Sequence, residues 1–213
     1  MMRKCPKCGS RRVAPILYGM PAFSEELEKK LDNQKIVLGG CEVSGNDPTH
    51  HCFGCGKNFG TPPMLTSKYG VEDYTWIVTS LRFCDGGYFG GYDEIIIKNS
   101  KGSIKVDIRP RPDRYGENVC RQMSLDEWFK LLNKLFYNLY VHEWKKQYYN
   151  KDILDGEQWE LEFRLTHRRV RNYNGSNAFP PYWKELKRIF EPFFIETTTP
   201  LPEGSDFTKD TIS

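Results

Sequence analysis

The chain has 213 residues, 38% of them hydrophobic and 28% charged, with a net charge of +3. This is the composition of a soluble globular protein with room for one sizeable core and a small module, and no run approaches the roughly 20 apolar residues that span a bilayer. A charge of +3 is too mild to signal nucleic-acid binding by itself, and an aromatic fraction of 14% is first of all core material. No membrane partner is expected. The start, Met1-Met2-Arg3-Lys4-Cys5, lacks the apolar stretch of a secretory leader. Three of the seven cysteines, Cys41, Cys84 and Cys120, stand outside any pair, which suits free thiols in a reducing cytoplasm.

The first element is a cysteine pair, Cys5-Pro6-Lys7-Cys8-Gly9, matched later by Cys52-Phe53-Gly54-Cys55-Gly56. Two residues between sulfurs let both thiolates turn to one ion, and the following glycine takes the positive φ with which the chain leaves the metal. Two such knuckles supply four thiolates, the donor set of a closed, structural tetrahedral Zn2+ site. The expected ligands are Cys5, Cys8, Cys52 and Cys55. The gap between the pairs exceeds the roughly 15–20 residues of a compact ribbon, but an insertion costs slowly growing loop entropy. Cys41, His50 and His51 lie near the second knuckle and rank below the four knuckle cysteines as ligands. Cys41 is expected to be a small buried residue.

Between the pairs, Val13 to Tyr18 reads as extended, Ser24 caps a helix over 25–33 with Leu27 and Leu31 on one side, and Lys35 to Leu38 is a strand candidate. Thr61-Pro62-Pro63 marks a boundary. Residues 1–60, with CPKCGS, YGMP, KIVLGGC and P-x-x-H-C-x-x-CG, resemble the N-terminal region of a family of small bacterial zinc-ribbon proteins. The resemblance implies the knuckle cysteines as ligands and a bacterial or phage origin, and carries no established activity.

Beyond the boundary, a strand from Tyr74 to Phe83, a Gly-rich connection at 85–91, a strand from Tyr92 to Lys98, a turn at 99–102 and a strand from Ser103 to Arg109 form an antiparallel meander. The glycines lack the G-x4-G-K-[ST] pattern of a phosphate loop. Ser124-Leu125-Asp126-Glu127 is a capping box opening a helix predicted to run to about Lys146. Trp159, Leu161, Phe163 and Leu165 alternate with Glu160, Glu162, Arg164 and Thr166 as a half-buried strand. A last helix carries Trp183, Leu186, Ile189 and Phe190, with Asn177 as a side-chain cap near its start. The expected fold is α+β: a four-thiolate zinc ribbon at 1–62, then at 72–196 an antiparallel sheet of four or so strands with two helices on one face. A disordered tail follows at 197–213.

No catalytic motif stands out. His142, Glu143 and His167 have no fixed partners in sequence, and Cys84 and Cys120 lack an activating context, so the inventory leans away from an enzyme. Basic residues cluster at Arg109, Arg111 and Arg114 and at Arg168, Arg169 and Arg171, with Tyr115 and Tyr173 interleaved; arginine with aromatics suits phosphates and stacked bases. Arg3, Lys4, Lys7, Arg11 and Arg12 add a basic rim to the ribbon. The leading expectation is a non-enzymatic binding protein for nucleic acid or a protein partner. The alternative is a metal-dependent enzyme on nucleic acid using Asp107, Glu160 and Glu162 on the polar sheet face beside Arg109 and Arg164. A third, by analogy of size and origin, is a defence, counter-defence or toxin–antitoxin component.

Overall fold

The computed structural model describes residues 3–87, 89–112, 117–153 and 156–195. In chain order its N-terminal part comprises β1 (Val13–Leu17), α1 (Glu25–Asp32), β2 (Val37–Leu38), β3 (His50–Cys52) and β4 (Asn58–Phe59). These strands form one small sheet of order β2-β1-β3-β4. Ser24 caps α1 as expected, its hydroxyl accepting from Leu27 N at 3.2 Å. The tail at 197–213 lies outside the described residues.

The larger part opens with a hairpin that the boundary reading passed over, β5 (Met64–Ser67) and β6 (Gly70–Asp73), followed by the single helical turn α2 (Tyr74–Ile77). Tyr74 to Ile77 were expected as strand. The Asp73 carboxylate accepts from Thr75 N at 2.7 Å and from the Thr75 hydroxyl at 2.8 Å, and this cap turns the chain before the strand begins. The meander then appears as expected: β7 (Val78–Gly87), β8 (Gly91–Ser100) and β9 (Ser103–Arg109). After it come β10 (Val119–Met123), α3 (Leu125–Asn133), β11 (Gln147–Tyr149), β12 (Glu157–Leu165), β13 (Val170–Ser176) and α4 (Trp183–Ile195).

The main sheet has seven strands in the order β10-β9-β8-β7-β12-β13-β11, antiparallel except for the β11–β13 pair. Three of the seven escape a propensity reading. β13, VRNYNGS, is poor in strand formers and exists because seven residue pairs with β12 hold it. The two short edge strands β10 and β11 owe their form to the neighbours they pair with.

One face of the sheet is apolar. Leu81, Phe83, Ile95, Ile97, Ile104, Val106, Ile108, Leu161 and Phe163 are all at most 2% exposed, and α3 and α4 both pack against β9 on this side. The Ser124–Glu127 capping box is present, Ser124 Oγ accepting from Glu127 N at 3.2 Å and Glu127 Oε2 accepting from Ser124 N at 2.9 Å. The helix nevertheless stops well short of Lys146. It widens at 134–138 into a π-type turn, Tyr140 then adopts a left-handed φ of 53°, and a 3-10 turn occupies Val141–Glu143. Leu135, Phe136 and Leu139 stay buried through this break, so the apolar spacing was real while the helix was not. Asn177 is likewise no helix cap: its φ is 52° and its amide donates to Ile153 O, six residues before α4 begins.

A candidate metal centre and the surfaces around it

The two knuckles are near copies. Gly9 N donates to Cys5 O at 2.9 Å and Gly56 N to Cys52 O at 2.8 Å, and both glycines sit at positive φ, 77° and 68°. β1 and β3 bring the knuckles together, since Val13, five residues after Cys8, pairs with Cys52. The four Sγ atoms lie within 4.8 Å of one another, with Cys5–Cys55 at 3.8 Å and Cys8–Cys52 at 3.6 Å. A disulfide requires about 2.05 Å, whereas four thiolates on a tetrahedron with ~2.3 Å metal–sulfur bonds stand about 3.8 Å apart. The donor set fits a metal ion and leaves no position for substrate. Burial pushes the Cys5 thiol up to about 12. In Cys52 burial acts in the same sense, but the amides of Cys55 and Gly54 and the neighbouring thiols bring it down to about 7.

The nearby alternatives are not part of the cluster. His50 Nε2 meets Arg3 at 2.6 Å and Nδ1 meets Thr49 Oγ1 at 2.8 Å. His51 Nδ1 meets Asn58 Oδ1 at 2.7 Å, its ring directed away from the sulfurs as adjacency to Cys52 implied. Cys41 is exposed, against the expectation of burial.

The cysteine-bearing N-terminal part is clasped to the large sheet. Lys4 N donates to the Tyr182 hydroxyl at 3.0 Å, Tyr182 Oη donates back to Lys4 O, and Lys4 Nζ pairs with Glu185 at 2.8 Å. Lys7 Nζ donates to Glu143 O at 2.8 Å. Glu143 Oε1 accepts from Gly60 N at 2.7 Å, Thr61 N at 3.0 Å and the Thr61 hydroxyl at 3.2 Å, while His142 Nε2 lies 3.1 Å from Thr61 O. Cys5, Cys52 and Phe59 belong to the same buried cluster as Tyr140 and Tyr182. The expected basic rim is therefore largely engaged inside the molecule: Lys4 and Lys7 hold the clasp and Arg3 holds His50. Arg11 and Arg12 stay exposed.

The six arginines singled out in the sequence do not form one patch. Arg109 pairs with Glu94 at 3.0 Å on the polar face, and Arg111 pairs with buried Asp93 at 2.9 Å on the helix side. Arg114 lies outside the described residues. Arg168, Arg169 and Arg171 sit at the β12–β13 turn, four strands from β9 in the sheet order, or roughly 19 Å at ~4.8 Å per strand. Arg169 pairs with Glu72 at 2.8 Å, and Arg171 lies over the Tyr74 ring at 5.9 Å. Arg168 is exposed at the tip.

The carboxylate constellation is corrected outright. Asp107 on β9 and Glu162 on β12 are separated by β8 and β7, roughly 14 Å. Glu160 and Glu94 instead flank Arg82, Glu162 pairs with Arg164 at 2.9 Å, and Asp107 pairs with Lys105 at 3.5 Å. Among the described residues the four cysteines are the group able to hold a metal.

What the sequence did not disclose is the β12–β13 tip. Arg169 N donates to Thr166 O, closing a two-residue turn in which His167 and Arg168 both have a φ of 57°. Such turns ordinarily take Asn-Gly or Gly-Gly, because left-handed backbone is costly with a Cβ. The His167 ring stacks on Tyr69 with centroids 3.7 Å apart, and Lys68 and Arg169 reach over the same tyrosine at 5.1 and 5.3 Å. No family model and no curated protein matches this chain.

Proposed function

We propose that the chain is a non-enzymatic nucleic-acid-binding protein whose fold is stapled by a structural zinc ion on Cys5, Cys8, Cys52 and Cys55, and that its single-strand contact is the β12–β13 tip. The observation that carries this is the strained His167–Arg168 turn. Two adjacent non-glycine residues at positive φ cost local stability, and such strain clusters at functional sites. Here the turn carries a stacked Tyr69–His167 pair, with Lys68 and Arg169 over the tyrosine and exposed Arg168 next to His167 in the chain. A stacked ring pair offers a π face to an unpaired base, and flanking cations suit the phosphates on either side. Zinc is preferred as the ion because a closed tetrathiolate site is its characteristic structural environment; bound there it supplies cross-linking and no reaction step.

The test is fluorescence anisotropy of zinc-loaded protein against labelled single- and double-stranded DNA and RNA across a salt series. Single strands should bind, with affinity falling as salt rises. Tyr69→Ala and Arg168→Ala should each weaken binding about tenfold, within the ~1–3 kcal/mol of one stacked base, and Arg109→Ala should leave it unchanged. Absence of binding at low salt, or equal sensitivity to Arg109→Ala, would sink the proposal.

A further inference from the structure

The lane beside β13 is filled along only part of its length. β11 pairs with Asn174, Gly175 and Ser176. Asn174 N donates to Lys146 O at 3.0 Å, and Asn150 N donates to Ser176 O at 3.0 Å. Along a strand, successive residues turn their N–H and C=O groups alternately to one neighbour and to the other. The even-numbered residues of β13 therefore face this lane and the odd-numbered ones face β12. Val170 and Asn172 direct their backbone groups into the lane ahead of β11, and nothing among the described residues bonds them there. The open stretch from Val170 to Asn172 is about 10 Å long at ~3.3 Å per residue.

This stretch is accessible. A cleft of about 530 Å³ lies over it, lined by Lys146, Gln147, Val170, Arg171, Asn172 and Asn174, and Val170 is 54% exposed. The lining holds two cations and no carboxylate. Lys146 is exposed and Arg171 rests over the Tyr74 ring; neither has an ion-pair partner among the described residues. Carboxylates on the adjoining elements are engaged elsewhere: Glu72 with Arg169, Glu160 with Arg82, Glu162 with Arg164, and Asp73 with Thr75 and Tyr137.

An open edge has to be kept from pairing with a second copy. β13 carries no proline and its register with β12 is unbroken, so charge performs that task here. Two copies paired antiparallel about Arg171 would set Arg171 against Arg171, and like charges directly opposite destabilise. The same charge attracts a strand of opposite sign.

We propose that β13 takes an extended acidic peptide as an added strand, its backbone bonding Val170 and Asn172 in line with β11 and its carboxylates meeting Arg171 and Lys146. Main-chain bonds supply the affinity and the two cations select the sequence. A nucleic acid has no alternating N–H and C=O groups to offer this edge, so the site is separate from the single-strand contact at the tip.

Fluorescence anisotropy of the full zinc-loaded chain with a labelled, end-capped peptide of alternating glutamate and valine tests this. It should bind at least about tenfold tighter than the same peptide with lysine for glutamate. N-methylation of the valines or of the glutamates should abolish binding in one case and spare it in the other, because alternate residues face β13. Val170→Pro removes an outward N–H at the first residue of the strand, where proline is accommodated, and Arg169 before it already has the extended φ of −77° and ψ of 150° that proline requires. Val170→Pro, Arg171→Gln and exposed Lys146→Glu should each weaken the peptide about tenfold. Natively folded protein that ignores the peptide up to about 1 mM, binds acidic and basic peptides alike, or retains both N-methylated forms would overturn the proposal. An oligothymidine that loses as much affinity as the peptide with Arg171→Gln would give the edge to nucleic acid instead.

Discussion

Glu143 joins the cysteine-bearing N-terminal part to the sheet, and its replacement by alanine has a calculable cost. Its side chain is 8% exposed, and one oxygen, Oε1, accepts from Gly60 N, Thr61 N and the Thr61 hydroxyl. Truncation strands two backbone N–H groups just after β4. A buried donor left unsatisfied costs about 1–3 kcal/mol, and the hydroxyl can rotate to another acceptor. Lys7 keeps its bond to the Glu143 carbonyl and loses only a charge partner 4.0 Å away. The sum is about 2–6 kcal/mol for Glu143→Ala. Glu143→Gln retains an acceptor oxygen and should cost about 1 kcal/mol. Urea unfolding of zinc-loaded protein, followed through the buried Trp144 next door, measures both as shifts in midpoint at constant slope. An alanine variant within about 1 kcal/mol of wild type, or a glutamine variant as damaged as the alanine, would refute the part given to the Glu143 carboxylate; the N-terminal part would then be held by the bonds of Lys4 to Tyr182 and Glu185 and by the packing of Phe59 and Cys5.

Three further outcomes follow from the same geometry. Purified protein should carry zinc in equimolar amount, and Cys52→Ser or a strong chelator should abolish it and expose the Phe59–Tyr140 contact, read as a loss of cooperative unfolding; full native unfolding behaviour without metal would contradict a structural role. Replacing His167-Arg168 with Asn-Gly should stabilise the hairpin by about 1–2 kcal/mol by removing left-handed strain while weakening single-strand binding, and a variant that loses stability would show that the strain reading is wrong. Asp85 holds its proton in the folded chain between its ordinary 3.8 and about 6, so its ionisation destabilises the fold above pH 6 and the penalty eases as pH falls toward 3.8. Relative to Asp85→Asn, wild type should therefore gain about 1 kcal/mol between pH 7 and pH 5; a flat difference between the two unfolding series would show that Asp85 is not desolvated.

Features encoded over a few residues were legible. Both knuckles, the Ser24 and Ser124 caps, the 85–91 hairpin and the alternation in β9 and β12 depend on local geometry, where a cap, a turn glycine or a period of two acts within a few residues. Reading the helix on to Lys146 failed because the apolar period persists through Leu139, although the backbone breaks at Tyr140 to deliver His142 and Glu143 to Thr61. β13 was missed because its residues suit a loop, and it becomes a strand through seven pairings with a partner that itself lies against β7.

The donor set was legible in the sequence alone: four cysteines at knuckle spacing can hold one ion wherever the chain between them goes, because thiolate chemistry is local and the intervening loop costs little. Tertiary structure alone decided which charges meet. Asp107, Glu160 and Glu162 look alike along the chain, yet strand order places two strands between the first and the others. Asp85 and Asp93, unremarked in sequence, end up facing each other in the core because the β7–β8 register aligns them. Charge in a sequence is a property of residues; electrostatics in a fold depends on distance and burial, and those are set only when strands from distant parts of the chain take their places side by side.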